Sequence, residues 1–378
     1  KHGLTADHAF GFSAYGIFYT VGLHDYNRGI EYGKLGFKII DKLGATKQLV
    51  RTTFVYNTLL RHWTSPLQDT LTPLLDGYSN GLESGDLDYA AFNLHILDLH
   101  YLFTGKELSE LKINLEKNNQ IIGDLNQQYI HIIHSIMSEG ITNLIDPREN
   151  SIELTGKFIN ADKSEQLWIR EENNAALAVF YVTKVLLSGI FNRYSSGLEN
   201  MRQYRKYQES IQGAVLTRYA TMFDTLCRAM LYPEVSLLKK ITYRIRIKLN
   251  QIQIKHWKKH APSNTSHFYY AAEAVIAWRI KNNTDLAINK FKIALEHCVR
   301  PDDLMVEGLI HEQAAIFYRA RGYMKTGETH LKAAYAAFAG WGANALLVKL
   351  REEYPDIDFE LETTQQPPPT NAPMTSPT

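Results

Sequence analysis

A faint internal repeat of about 40 residues constrains this chain more than any other feature. Glu273–Ile280 (EAVIAWRI) aligns without a gap to Gln313–Ala320 (QAAIFYRA), and Phe291–Leu295 (FKIAL) aligns to Leu331–Tyr335 (LKAAY). Near the N-terminus, the turn after Leu23 recurs after Trp63 and again after Phe103. Small residues on one helix and aromatics on the next are the pattern of stacked helix pairs, because each pair can bury its apolar face only on its neighbours. The repeat therefore predicts an all-α solenoid of stacked antiparallel helix pairs. Such a fold presents a surface and rarely carries its own chemistry.

Length agrees with that reading. A chain of 378 residues exceeds what one compact core spans, whereas stacked repeats extend a core indefinitely. Net charge is +1, so global electrostatics points to neither nucleic acid nor an acidic partner. The two cysteines, Cys227 and Cys298, lie in apolar helical patterns without a Cys or His at metal-ligand spacing. They read as reduced thiols of a cytoplasmic protein. No apolar run reaches the roughly 20 residues of a membrane span; Ala175–Ile190 comes nearest, and Lys184 interrupts it. The chain starts at Lys1 in a helix-like apolar pattern, not in a signal-peptide pattern, and reads as a piece of a longer polypeptide.

Three helix pairs are expected from Ala9 to about Asn126: Phe10–Gly22 with Asp25–Leu43, Gln48–Trp63 with Pro66–Glu83, and Asp86–Phe103 with Lys106–Ile122. Asp25 and Asp86 are placed to cap the helices they precede, and Pro66 suits a first helical turn. Glycines 16, 22, 29, 33 and 36 each cost a helix about 1 kcal/mol relative to Ala, tolerable where two helices approach closely. Asp146–Lys157, with Pro147, Asn150 and Gly156, reads as an irregular crossing. Asn173–Gly189 is apolar nearly all round and is expected to be the most buried helix. Lys239–Lys259 is ambiguous: Tyr243, Ile245, Ile247 and Leu249 alternate like a strand, while Ile241, Ile245, Leu249 and Ile252 follow helical spacing. Helix is the choice, since no other segment offers a strand to pair with. The folded region is expected over 1–357, with sub-regions at about 1–124, 125–260 and 261–357. Residues 358–378, which include the Pro/Thr-rich TTQQPPPTNAPMTSPT at Thr363–Thr378, read as a disordered linker.

Catalytic and metal motifs fail on their own chemistry. His311-Glu312-Gln313-Ala314-Ala315 begins like a zinc-protease helix, but Ala315 stands where a second imidazole must reach the metal. His256 and His260 are spaced i, i+4, and His131 and His134 are spaced i, i+3. Two histidines need further ligands, and Lys258 and Lys259 would repel a cation. Gly11-Phe12-Ser13-Ala14-Tyr15 lacks the last glycine of a nucleophile elbow, and the sequence has neither a P-loop nor a GxGxxG fingerprint. The expectation is no catalytic residue, no cofactor site and no metal site, with no turnover of ATP. Tyr15, Tyr19, Tyr56, Trp63, Tyr101, Trp168 and Tyr318 recur at helical spacing and read as core side chains.

One charge anomaly remains. No acidic residue occurs between Glu234 and Glu273, where Lys239, Lys240, Arg244, Arg246, Lys248, Lys255, Lys258 and Lys259 fall, with Tyr243 and Trp257 interleaved. Two readings are open. A basic amphipathic helix can bind anions, an anionic membrane surface or a partner. Alternatively, this is a solvated face balanced by acidic neighbours across the solenoid.

Several stretches carry a family resemblance. Phe54–Trp63 (FVYNTLLRHW), Pro73–Phe92 (PLLDGYSNGLESGDLDYAAF), Phe103–Leu111 (FTGKELSEL), His260–Ala272 (HAPSNTSHFYYAA), Trp341–Ala343 (WGA) and Glu353-Tyr354-Pro355 resemble the helical region of very large bacterial signalling proteins. Those proteins carry a serine/threonine-kinase-like domain, an AAA-type (STAND-like) ATPase, this helical region, then a GAF domain and often a histidine-kinase module. The resemblance spans about Lys1 to Pro355, and its motifs are long rather than catalytic. It implies a tetratricopeptide-like regulatory solenoid between an ATPase and a sensor, and the expected mechanism is binding of a protein partner or ligand on a concave surface that couples the neighbouring domains. Its partners would be domains of the same polypeptide or a separate protein, with no specific nucleic acid. Leu237–Lys255 departs from the family in being richer in Ile and Arg. The alternative expectation is a free-standing helical-repeat adaptor or effector that binds a protein or peptide.

Overall fold

The computed structural model describes residues 3–298 and 303–359. The expected linker segment Thr363–Thr378 lies outside the described residues. Within them the chain is helical throughout, and no strand forms beyond one isolated bridge between Thr155 and Asn160. The helices run α1 (Asp7–Ile17), α2 (Tyr26–Leu43), α3 (Leu49–Val55), α4 (Leu71–Ser84), α5 (Leu87–Phe103), α6 (Leu108–Asp124), α7 (Gln128–Ile145), α8 (Ala161–Arg170) and α9 (Asn174–Ile190). They continue as α10 (Tyr194–Tyr207), α11 (Leu216–Leu231), α12 (Leu237–His260), α13 (Pro262–Arg279), α14 (Thr284–Glu296), α15 (Leu304–Ala320), α16 (Met324–Trp341) and α17 (Asn344–Glu353). Helix α1 is extended by a π-helical turn at Phe18–Gly22, and α3 by a π-turn at Tyr56–Leu60. The ambiguous segment is helix, as α12.

The helices stack as antiparallel pairs, and the repeat is real at the level of its turns. The aligned segments are the paired helices α13–α14 and α15–α16. Asn282 and Gly322, 40 positions apart in number, both adopt left-handed backbone (φ 50° and 82°) where the first helix of each pair ends. His24, Gly44, Gly85, Gly105, Asn126, Glu172, Asn192 and Gly342 close other helices with the same conformation. A left-handed residue stops a helix and lets the last carbonyls find partners, so a near-20-residue spacing of such residues writes the repeat into the backbone.

Capping follows the sequence at several starts. The Asp25 carboxylate accepts from the Arg28 N–H at 3.1 Å, and Asn173 and Asn283 accept from Ala176 and Leu286 N–H. Asp86 is a correction. It makes no side-chain cap to α5 and instead takes the Arg51 guanidinium at 2.7 Å, tying α3 to the start of α5. The glycines of the first pair do allow close approach: a Cβ on Gly29 would lie 2.2 Å from Thr20 Oγ1, and one on Gly16 would lie 2.7 Å from the Gly29 carbonyl. Residues 146–160 form the irregular crossing, pinned where Asn143 donates to the carbonyls of Ser151 and Glu153 and where Arg148 meets the buried Glu139 at 2.7 Å.

Two features exceed nearest-neighbour stacking. First, α3, α5, α7, α9, α11, α13 and α15 form an inner wall in which each touches the next, and α17 returns to pack on α7. One apolar cluster runs from Leu67 to Phe359. In α9 only Asn174 and Lys184 escape burial. Within this cluster α5, α7, α9, α11, α15 and α16 converge on an apolar cavity of about 40 Å³, room for about one water. Second, the folded body passes Asp358, the expected start of the linker. Phe359 is buried and stacks on Tyr335 at 4.9 Å.

Candidate functional site

The cavity among α5, α7, α9, α11, α15 and α16 has room for about one water, whereas α12 presents an anomalous outer surface. Its core-facing side is ordinary. Ile247, Asn250, Ile254 and Trp257 are buried. Asn250 donates to Asp224 at 2.8 Å, and Trp257 donates from its indole to the Tyr26 hydroxyl at 2.8 Å. At about 100° per residue, the opposite side of α12 carries Leu238, Ile241, Ile245, Leu249 and Ile252. These are 79%, 58%, 56%, 52% and 58% exposed. A helix docked on its body by one face has every reason to be polar on the other. This one is apolar on both.

The eight expected cations all fall on α12, and the structure sorts them. Arg244, Lys248 and Lys255 line an outward groove between α12 and α13, whose apolar surface comes from Ile247, Ile252, Ile276 and Ile280. Lys240 and Arg244 lie over the Tyr232 ring, at 5.6 and 5.3 Å. Lys258 donates to the Tyr270 hydroxyl at 3.1 Å and sits 4.3 Å from the Tyr269 ring centre. Lys239 and Lys259 are exposed at the two ends of the helix. Arg246 turns to the other flank, into a polar cavity shared with Arg205, Asp224 and Asn250. There Arg205 is held below the usual guanidinium range by burial, against the pull of Asp224, with Arg246 and Arg228 adding repulsion. Among the described residues, none of the eight forms an ion pair with a carboxylate. The balancing acidic neighbours of the second reading are thus not in contact with these side chains. Among the described residues that line the groove, the carboxylate is Glu273, which accepts from Gln251 at 2.8 Å and lies 4.0 Å from Lys281.

The other singled-out residues are structural. Trp63 and Trp168 are buried, but Tyr15 is a correction: it is 47% exposed. It stacks on Phe18 and meets Tyr19 and Tyr32 edge-on, in an outer aromatic patch. His131 faces Asn119 at 2.7 Å, while His134 is buried against the Leu115 carbonyl. His256 and His260 pack on the Tyr26 ring. Among the described residues no group of three or more His, Cys, Asp or Glu converges as metal ligands. Glu312 points into the core and binds Lys349 and Asn192. Cys227 is buried and free, and burial raises its thiol well above the usual range; Cys298 donates to the Ala294 carbonyl at 3.7 Å.

The outward stripe was visible in the sequence as periodicity but not as exposure. Ile241, Ile245, Leu249 and Ile252 are the residues whose spacing argues for helix, and a helical stripe is ordinarily the buried one. The signal that could have found it is a second apolar and aromatic set, Ile247, Ile254 and Trp257, on the opposite side of the same helix.

The architecture defines an all-α helical-repeat protein of stacked antiparallel pairs. No family model, curated protein or solved structure matches the chain.

Proposed function

We propose that this chain is a non-catalytic scaffold and signal-relay module that works by docking a protein segment on the outer face of α12. The observation that carries the reading is the stripe Leu238–Ile252, since soluble proteins rarely leave a contiguous Leu/Ile face uncovered. The buried titratable groups support a structural role: Asp224 is saturated by Arg205, Arg228 and Asn250, and Glu312 is paired with Lys349. The family resemblance extends the proposal: the module would sit between an AAA-type ATPase and a GAF or histidine-kinase sensor in a bacterial, cytoplasmic signalling polypeptide, and relay which of them occupies the α12 face. A relay of this kind needs two sites and two states. The second reading, a free-standing adaptor, uses the same face for a separate protein.

Lysine cross-linking of the full-length gene product tests this. Cross-links from Lys239, Lys248 and Lys255 to a neighbouring domain are expected for the relay, and to a second protein for the adaptor. If these lysines cross-link only within the module while other surface lysines reach outward, the docking face is not α12.

A further inference from the structure

The α12 face specifies the chemistry of its occupant, and this inference rests on the docking reading above. We infer that the partner is an acidic amphipathic helix, laid along the groove between α12 and α13. Three observations lead there. The apolar positions follow one another at 3, 4, 4 and 3 residues (Leu238, Ile241, Ile245, Leu249, Ile252), a ridge about 21 Å long at 1.5 Å per residue. Helices pack by setting such ridges into the grooves of another helix, and helix-in-groove recognition uses this periodicity. The ridge also borders a concavity: Ile252 belongs to both, and Ile276 and Ile280 form the groove's α13 wall. A flat bilayer surface would reach the crest but not that wall, whereas a helix seated beside α12 covers both.

Charge decides the rest. Arg244, Lys248 and Lys255 flank the groove without carboxylate partners, and the sequence from Val235 to Ala272 contains no acid. A second copy of this chain presenting the same face would set cations against cations, and like charges across an interface are disfavoured. A partner with Leu or Ile on one face and Glu or Asp along its edge meets both demands: it covers the ridge and gives the lysines counter-charges.

The test uses the full 378-residue chain and three probes: a fluorescent 20-residue Leu/Glu amphipathic peptide, the same peptide with Glu replaced by Lys, and vesicles of phosphatidylglycerol and phosphatidylcholine. The Glu peptide is expected to bind saturably, to weaken at least tenfold between 50 and 300 mM salt, and to weaken at least tenfold in Ile245→Asp/Ile252→Asp. Both positions are exposed, so the thermal transition of that variant should match the parent. The charge-swapped variant Lys248→Glu/Lys255→Glu should lose the Glu peptide and gain the Lys peptide. Glu-peptide binding that ignores the charge swap would overturn the acidic-helix inference. Binding of anionic vesicles instead of peptide, abolished by Ile245→Asp/Ile252→Asp, would overturn the helix while leaving α12 as the docking face. If peptide and vesicle binding are both unchanged by every α12 variant, the docking reading itself falls.

Discussion

The indole of Trp257 donates to the hydroxyl of Tyr26 at 2.8 Å across 231 residues of sequence. That contact joins the second helix to the twelfth. Trp63 lies between them, stacked on Tyr26 at 5.5 Å and 5.3 Å from Trp257, with its own indole donating to the Gly213 carbonyl at 3.2 Å. The Arg218 guanidinium sits 5.0 Å over Trp63 and donates to the His62 carbonyl at 3.0 Å. Burial lowers the Arg218 pKa to about 10, and the side chain stays charged at neutral pH. A fully buried cation is tolerable there because the Trp63 face, the His62 carbonyl and the His62 ring nitrogen at 3.2 Å replace part of its water.

Trp63→Ala should therefore cost about 3–5 kcal/mol, the range for deleting a buried large aromatic. Urea denaturation followed by circular dichroism measures it. Because the ring packs between Tyr26 and Trp257, the variant should also expose Trp257, seen as a red-shifted tryptophan emission before global unfolding. A cost below about 1 kcal/mol would contradict the burial of the ring.

How much of this was legible in the sequence depends on the distance over which each feature is decided. Asp25 as a cap, the crossing at Asp146–Lys157 and the burial of α9 are local or compositional, and the residues alone carry them. The C-terminal repeat is legible because Asn282 and Gly322 stand at equivalent turns. The joining of α2 to α12 is not legible, because nothing near Tyr26 in sequence announces Trp257. Asp86 misled for a similar reason: a residue suited to cap α5 had a stronger, non-local partner in Arg51.

Glu312 and Lys349 form a buried ion pair between α15 and α17, with Asn192 also donating to the carboxylate at 2.8 Å. Removing one partner strands a buried charge, which costs about 3–5 kcal/mol. Lys349→Met is expected to show that loss, and Glu312→Gln a similar one. The double variant Glu312→Gln/Lys349→Met should recover most of it, since neither charge is then left alone. A double-mutant cycle in guanidinium reads the coupling, and additive losses would mean the pair is not coupled.

Gly29→Ala and Gly11→Ala should move stability in opposite directions. A Cβ on Gly29 would strike Thr20 Oγ1 at 2.2 Å and the Gly16 carbonyl at 2.9 Å. Overpacking costs about 1–3 kcal/mol, more than the helix propensity gained. A Cβ on Gly11 meets nothing within 4 Å among the described residues, so only the propensity gain of up to about 1 kcal/mol remains. Thermal melts should place Gly11→Ala at or above the parent and Gly29→Ala below it. The reverse order would show that the first pair is not held by close backbone approach.

The core polar groups on α5, on α7 and in the Arg61–Trp63 turn make stability depend on pH in two opposing ways. Burial lowers His100 to about 3 and His134 to about 4, and holds His62 and His95 well below the ordinary value. In the unfolded chain these imidazoles titrate near 6.5. The native state thus binds fewer protons below pH 6.5, and the stability these groups contribute, complete above that value, is lost as pH falls. Asp98 has the opposite sign. Burial raises its carboxyl to about 7 although Asn118 donates to it at 2.7 Å. Its unfolded value is near 3.9, so from about pH 4 to pH 7 the native state holds a proton the unfolded chain has released, and stability falls as pH rises through that window. His134 lies 3.9 Å from Asp98, too far for a hydrogen bond, and between about pH 4 and 7 both are uncharged. Four histidines outweigh one carboxyl, so the parent should lose stability from pH 7 to pH 5. In Asp98→Asn the opposing contribution is gone. Relative to the parent, the variant should gain up to about 1.4 kcal/mol per pH unit between pH 5 and 7, then level off near pH 8. Urea midpoints at pH 5, 6, 7 and 8 for both proteins measure this, and a difference that does not change with pH would show that Asp98 is ionised throughout.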